Sequence, residues 1–319
     1  MKIDIENPIE LIQKKRPTLK ENTLKQYNQN LTKLKKVFDS EDFEFLSSPT
    51  NVKEKLKNLH FTTIRNYLNA IIVLLSATDD EQYNEILKTY GKMRDEYNDT
   101  YNKNNSSGII SDKQKNSFVD ISEINKMIDT MGNELKIGRI KQKKGDLTNK
   151  EKALLQVYIL FNIYTRIPLR NDVSEMDAIT KSQYNKLSEV DKKAKNFLVV
   201  EKNNMFFVLN KYKTSKKYEQ LNIDIPPDLK KLLRFYLRVN GMGVLFKSST
   251  GKPLSRNALS QLLIKTSKKY MSKSISTTMI RKSYLSSKYG KLNSELEKDN
   301  QIMGHSKNVA LSTYVKESQ

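Results

Sequence analysis

The sequence predicts a mainly α-helical protein with one small antiparallel β-sheet, an α+β fold in two domains. Apolar residues recur with helical spacing along residues 18–100. The next stretch, 101–117, is polar and poor in apolar side chains, so we expect it to be a linker. Three short strand-like runs lie within an otherwise helical second half. The length of 319 residues suits two ordinary domains.

The first domain, residues 18–100, is predicted to be a small helical bundle that follows a loose leader at residues 1–17. Its polar faces carry many lysines. We expect its helices at about 18–37, 51–59, 62–77 and 81–97. The third of these has the broadest apolar face, formed by Ile64, Tyr67, Leu68, Ile71, Ile72, Leu74 and Leu75.

The second domain, residues 118–319, is built around a strongly apolar segment. Residues 151–165 predict a buried central helix, which Pro168 ends because proline has no N–H for a helical hydrogen bond. Short apolar runs predict a hairpin and a third strand at 197–200, 205–209 and 221–225. Near the C-terminus we expect one helix to end before Gly290, a second to span 292–303 and a third to begin at Ser306.

The balance of charge points to a polyanionic partner. The chain has 57 Lys+Arg against 36 Asp+Glu, a net charge of +21. Such an excess is not needed for a fold, whereas each phosphate neutralised by a cation releases counterions and adds affinity for nucleic acid. A lysine-rich composition inherited from a skewed genome is the alternative explanation. We therefore expect double-stranded DNA to be the partner.

Composition also excludes several classes of protein. There are no cysteines and only two histidines, His60 and His305, which excludes a disulfide framework and a thiolate metal site. We therefore expect no metal and no cofactor. No run of about 18 apolar residues could cross a membrane, and the N-terminus lacks the apolar core of a signal peptide. The sequence predicts a protein of the cytoplasm or nucleus.

Residues suited to cleaving a phosphodiester lie in separate segments of the second domain. Arg170 follows the central helix, Arg281 begins a later helical pattern, and Tyr314 lies nine residues after His305 in Gly304-His305-Ser306. Guanidinium groups stay charged and bind two phosphate oxygens at once. A tyrosine hydroxyl near them is a candidate covalent nucleophile. The order and spacing of these residues indicate a metal-free device for cutting DNA.

This combination resembles the tyrosine recombinase (phage integrase) family, in which a Gly-His-Ser motif precedes the nucleophilic tyrosine by a similar distance. The resemblance implies that Tyr314 attacks DNA, that His305 hydrogen-bonds the phosphate and that Arg281 binds it. The family motif around this arginine is His-x-x-Arg, and Thr278 stands at the histidine position. A threonine hydroxyl donates to a phosphate oxygen but exchanges no proton near neutral pH. Another group or water must take over any proton transfer there.

The first arginine of the family has two candidates in this sequence. The family usually places it in Gly-Leu-Arg with an acidic residue just after. Here Leu169-Arg170 keeps the leucine and arginine without the glycine, which favours Arg170 over Arg166. Asp172 or Glu175 is expected to support the chosen arginine.

A lysine on a β-hairpin turn completes the set that the resemblance implies. The candidates lie in Lys211–Lys217, between two predicted strands, where Lys213 is the first choice and Lys216 the second. A solvated lysine cluster near a turn is the other interpretation of this segment. The spacing from Arg170 is longer than usual, because residues 180–195 look like an inserted loop.

The resemblance implies a site-specific recombinase or integrase that cuts and rejoins DNA through a 3′-phosphotyrosine, without metal or ATP. The domain at 18–100 corresponds to a core-binding domain and the one at 118–319 to a catalytic domain, expected to close as a clamp around duplex DNA. We expect a monomer when free and a tetramer on DNA. A type IB topoisomerase and a non-catalytic DNA-binding protein of the same fold are the alternatives.

Overall fold

The chain divides into two compact units, Met1–Ile110 and Ser111–Gln319. The structure, a computed structural model, describes residues 5, 7–106, 118–140, 147–304, 309 and 311. No helix in these described ranges is long and apolar enough to span a membrane.

The described part of the first unit is helical throughout. Its helices are α1 (Pro8–Lys15), α2 (Glu21–Phe38), α3 (Pro49–Leu56), α4 (Phe61–Leu75) and α5 (Asn84–Ser106). Helix α4 lies at its centre and packs against α2 and α5, burying Leu68, Ile71 and Leu74 completely. Its apolar face matches the one predicted from the sequence.

Two predicted boundaries of this unit are wrong. The leader at 1–17 contains α1, whose Ile12 is completely buried in the core of the unit. Local signals favour this helix, because the Asn7 side chain accepts a hydrogen bond from the N–H of Glu10 and Pro8 occupies the first turn. The predicted linker at 101–117 also begins too early, since α5 continues to Ser106.

The second unit is mainly helical around a small sheet, which confirms the predicted fold class. Its larger helices are α6 (Ile121–Glu134), α8 (Asn149–Arg166), α12 (Pro227–Asn240), α13 (Arg256–Met271) and α14 (Thr277–Met303), and a short helix α7 (Ile137–Ile140) lies between α6 and α8. The central helix α8 packs against α6, α12, α13 and α14. A capping box at Thr148 and Glu151 fixes the start of α8, and the chain becomes extended at Ile167 just before Pro168.

The sheet differs from the predicted one because it is mixed rather than antiparallel. Within the described residues the strands are β1 (Asp177–Thr180), β2 (Phe197–Val200), β3 (Met205–Leu209), β4 (Leu221–Asp224) and β5 (Gly243–Val244). They have the order β4-β3-β2-β1-β5, in which β1 is parallel to β2 and the other neighbouring pairs are antiparallel. The predicted hairpin and third strand are present as β2, β3 and β4.

Two further expectations about this unit need correction. The segment 180–195 is not an inserted loop: it forms α9 (Lys181–Lys186) and α10 (Glu189–Ala194), which connect β1 to β2. Parallel neighbours require such a crossover. Helix α14 is continuous through Gly290 as far as Met303, where two helices were expected. The helix predicted to begin at Ser306 lies outside the described residues.

Candidate active site

Arg170 lies in a turn whose backbone is hydrogen-bonded to a buried side chain. The turn follows α8, and the buried Tyr164 hydroxyl donates a hydrogen bond to the Arg170 carbonyl at 3.1 Å. A short 3₁₀ helix, Asn171–Val173, comes next and buries Asp172. The Arg170 side chain itself is exposed. The turn therefore presents an accessible guanidinium on a backbone held by buried groups.

Arg281 reaches the same turn from α14. The helix begins at Thr277 and is capped by the Ser276 side chain, which accepts from the N–H of Met279. One turn further along, Arg281 Nε donates to the Pro168 carbonyl at 3.0 Å. Thr278, at the family's histidine position, is exposed in this first turn. The two predicted arginines are thus brought to one place, although they are far apart in the sequence.

A third arginine joins them through the buried carboxyl of Asp172. Burial raises the pKa of Asp172, and the positive charges of Arg256, Arg170 and Arg281 oppose that increase. Arg256 Nη2 lies 3.3 Å from Asp172 Oδ1. Arg256 stands at the start of α13 and belongs to no motif that the sequence indicates. Its proximity to Asp172 depends on the tertiary fold, so sequence reasoning did not identify it.

The predicted lysine segment is attached to this cluster through its backbone. Asn196, a buried residue just before β2, donates to the carbonyl of Lys211 at 3.1 Å and to that of Asp172 at 2.9 Å. Lys213 is exposed in the connection between β3 and β4. Lys216 is exposed in a short helix, α11 (Ser215–Tyr218), within the same connection. Both remain candidates, and Lys213 lies nearer in sequence to the fixed point.

Arg166 has a different environment from Arg170. Its Nε donates to Asp228 at 2.6 Å, and its Nη1 donates to the side-chain oxygen of Asn162 at 2.8 Å. It also bonds the Asn162 carbonyl at 3.2 Å. These contacts occupy the guanidinium with partners within the protein. The comparison favours Arg170 as the arginine that is available to a ligand.

The remaining predicted residues, His305 and Tyr314, lie outside the described residues. Helix α14 ends at Met303, and Gly304 follows in the left-handed conformation with φ 69°. At about 1.5 Å per residue, the helix from Arg281 to Met303 is roughly 33 Å long. The structure therefore brings together the arginines and the lysine segment of the predicted site, and the position of its tyrosine stays a prediction.

Metal-binding groups are sparse in this part of the molecule. Across the described ranges, no group of three or more histidine, aspartate or glutamate side chains could hold a metal ion. The only carboxyl within the arginine cluster that the structure describes as buried is Asp172.

Comparison with known proteins gives similarity to solved structures only. No family model matches the sequence, and no curated protein matches it. A XerH site-specific recombinase bound to palindromic difH substrate in a post-cleavage complex is 15% identical, with a TM-score of 0.48, over 93% of this chain and 77% of that one. The pre-cleavage complex of XerH with difH substrate is 15% identical, with a TM-score of 0.48, over 97% and 85%. A XerA recombinase is 10% identical, with a TM-score of 0.34, over 98% and 92%. The chain is thus similar to site-specific recombinases over most of its length, at identities that assign it no residue role or activity.

Proposed function

We propose that this protein is a DNA strand transferase of the tyrosine recombinase type, which cuts and rejoins double-stranded DNA at specific sites. The observation that carries the proposal is the arrangement of Arg170 and Arg281 at one turn, with Arg281 bonded to the Pro168 carbonyl and Arg170 exposed. Two guanidinium groups held on fixed backbone form a site for the negative charge of a phosphodiester. The net charge of +21 favours a polyanion as the ligand.

In the proposed reaction, the Tyr314 hydroxyl attacks the scissile phosphorus. A bond forms between the tyrosine oxygen and phosphorus, and the bond from phosphorus to the 5′ oxygen breaks. The tyrosine proton passes to water or a neighbouring base, and Lys213 donates a proton to the departing 5′ oxygen. Attack by a free 5′ hydroxyl reverses the sequence and reseals the strand. The phosphodiester energy is retained in the phosphotyrosine, so neither ATP nor a metal ion is required.

The other residues stabilise charge on the phosphate as the reaction proceeds. Arg170 and Arg281 bind its non-bridging oxygens, His305 donates a further hydrogen bond, and the exposed Thr278 hydroxyl donates where the family has a histidine. In this proposal the free protein is a monomer, because its excess positive charge repels a second copy. Four copies assemble on two DNA sites.

The test is covalent trapping on nicked duplexes, which lose a short fragment after cleavage and cannot be resealed. Because the target sequence is unknown, the substrate is a pool of nicked duplexes with randomised sequence, in EDTA and without ATP. We expect a protein–DNA adduct on a denaturing gel. Tyr314→Phe should abolish the adduct and leave DNA binding intact, because only the nucleophile is removed.

The matched control is Tyr289→Phe, which alters an exposed tyrosine on α14 and should leave trapping unchanged. An adduct that persists in Tyr314→Phe contradicts the assignment of the nucleophile. Binding without any adduct in the wild-type protein indicates a non-catalytic DNA-binding protein. Relaxation of supercoiled DNA without strand exchange between two duplexes indicates a topoisomerase of type IB.

A further inference from the structure

Arg256 connects two parts of the candidate site that the sequence presents separately. The same nitrogen, Nη2, lies 3.3 Å from Asp172 Oδ1 and 3.3 Å from the Lys211 carbonyl oxygen. Asp172 belongs to the turn that carries Arg170, and Lys211 begins the segment that carries Lys213. The guanidinium therefore spans from the arginine turn to the lysine segment.

We propose that Asp172, Asn196 and Arg256 form a bridge that sets the position of Lys213 for protonation of the departing 5′ oxygen, and that Arg256 is its positioning residue. The inference rests on the proposed function, in which Lys213 is the proton donor. It assigns Arg256 no contact with the scissile phosphate.

The carboxyl at the centre of the bridge is buried and requires a charged partner. The Asp172 side chain is 7% exposed, whereas that of Arg256 is 49% exposed. A buried carboxylate that loses its cationic partner is strongly destabilised. The ion pair therefore holds the guanidinium over the carboxyl and, through the second bond, over the Lys211 carbonyl.

Asn196 supplies the second connection between the same two segments. Its Nδ2 donates to the carbonyls of Asp172 and Lys211, at 2.9 and 3.1 Å. Its Oδ1 accepts from the N–H groups of Asn210 and Lys211, at 2.9 and 2.8 Å. One buried side chain thus fixes both backbone groups of Lys211. Such a fully satisfied buried network specifies a single arrangement of the backbone.

The segment beyond Lys211 is held at its other end as well. Tyr212 is buried, and its hydroxyl donates to the Glu219 carbonyl at 2.8 Å. Lys213 is exposed between these two attachments. The arrangement leaves the ammonium group of Lys213 accessible to a ligand while its backbone is tied to the Arg170 turn. A proton donor must be placed within hydrogen-bond distance of the leaving oxygen, and in this proposal the bridge supplies that placement by holding the backbone at Lys211.

The test separates proton donation from phosphate binding by changing the leaving group. In a substrate whose 5′ bridging oxygen is replaced by sulfur, the leaving thiolate departs without a proton. On the oxygen substrate we expect Arg256→Met and Lys213→Ala each to slow cleavage by about 10²-fold, the lower range for loss of a general acid. On the sulfur substrate, Arg256→Met and Lys213→Ala should each cleave within about 3-fold of the wild-type rate. Arg170→Lys should cleave slowly on both substrates.

The control variant is Arg234→Met. Arg234 Nη2 contacts two backbone carbonyls, those of Glu201 and Asn204, at 3.1 and 3.3 Å, whereas Arg256 Nη2 contacts one carboxyl and one carbonyl. The two carbonyls flank the β2–β3 turn, so the variant removes a guanidinium that connects two backbone groups away from the site. We expect its cleavage on both substrates to match that of the wild-type protein. Arg256→Gln, which keeps amide donors, is the second variant should Arg256→Met not fold.

Double variants provide an independent readout. If Arg256 acts through Lys213, Arg256→Met combined with Lys213→Ala should be no slower than Lys213→Ala alone. Equal losses on both substrates for a folded Arg256 variant, or additive losses in the double variant, overturn the inference and leave the proposed function intact. A wild-type protein that cleaves neither substrate contradicts the proposed function and this inference together.

Discussion

The arginine cluster and the second half of α14 differ sharply in how the protein holds them. Around Arg170, the backbone is fixed by the Tyr164 hydroxyl and by the bond from Arg281 to Pro168. Along α14 beyond Ser283, large apolar side chains are exposed, including Leu285, Tyr289 and Leu292. Apart from its chain neighbours and the adjoining helix backbone, no atom of the described residues lies within 4 Å of the position that a Cβ at Gly290 would take.

This difference indicates which part of the proposed reaction is built into the folded unit. Donors that stabilise developing charge are effective only when they are oriented before the reaction starts. Arg281 meets that condition through its bond to the Pro168 carbonyl, and the backbone of Arg170 is held by the Tyr164 hydroxyl. The half of α14 beyond Ser283 carries these exposed apolar side chains, although Asn300 near its end is buried. The following predictions test both halves of the comparison.

The largest expected effect is on the arginines of the cluster. Arg170→Lys and Arg281→Lys should each slow cleavage by about 10²-fold or more, because lysine keeps the charge and loses the planar pair of donors. The measurement is the single-turnover rate of adduct formation on a nicked substrate.

The matched control is Arg166→Lys, because Arg166 is paired with Asp228 within the protein. It should cleave at close to the wild-type rate. Near-normal cleavage by Arg170→Lys together with a collapse in Arg166→Lys would show that the neighbouring arginine binds the phosphate.

A smaller effect is expected from replacing Tyr164, whose hydroxyl hydrogen-bonds the backbone of the turn that carries Arg170. Tyr164→Phe removes the donor to the Arg170 carbonyl, and the lost hydrogen bond should lower the free energy of unfolding by about 1–2 kcal/mol. The rate of cleavage should fall several-fold with little change in DNA binding, because the turn loses its fixed position. Chemical denaturation and adduct formation measure the two effects.

The control for this change is Tyr158→Phe, a half-buried tyrosine on the same helix. It should alter neither measurement appreciably. Unchanged cleavage in a destabilised Tyr164→Phe protein would mean that the turn does not need this support.

The smallest expected effect concerns the exposed half of α14. Gly290→Ala should raise the stability of this helix by about 0.5–1 kcal/mol, because glycine in a helix interior loses more backbone entropy than alanine and the added Cβ meets nothing. Hydrogen exchange of the amides around residue 290 measures the change.

Gly91→Ala in α5 is the reference, since a Cβ at Gly91 also meets nothing. Slower exchange at both sites agrees with a continuous α14. Slower exchange in Gly91→Ala without slower exchange in Gly290→Ala would show that α14 is interrupted in solution.

Local patterns in the sequence predicted the elements whose stability is local. The apolar run at 151–165 and Pro168 defined the central helix and its end, because burial and the missing N–H act within a few residues. The cap formed by Asn7 and Pro8 is an equally local signal. Residues 1–17 were nevertheless predicted to be a loose leader, and α1 is seen only in the structure. Strand β1 has four residues, Asp177–Thr180, too few to show a period, and its parallel pairing with β2 depends on a distant partner.

The candidate site was predictable where a short segment resembled a motif of the family. Arg170 and Arg281 were identified in this way, as guanidinium groups that would bind a phosphate, and the structure brings them to one turn. Arg256 and Asn196 escaped prediction because their roles consist of contacts with Asp172 and Lys211, which are distant in sequence. No local pattern encodes such contacts. The choice between Lys213 and Lys216 still depends on the experiment.

The position of β5 has a consequence for synthesis of the chain. Strand β1 pairs on one side with β2, which follows soon after, and on the other with β5, which is made after the rest of the sheet and α12. During translation, one edge of β1 therefore stays unpaired until Val244 has left the ribosome. Unpaired strand edges are templates for association with other chains. A ribosome that stalls within α12 would release a second unit prone to aggregation, whereas the helical first unit would already be folded.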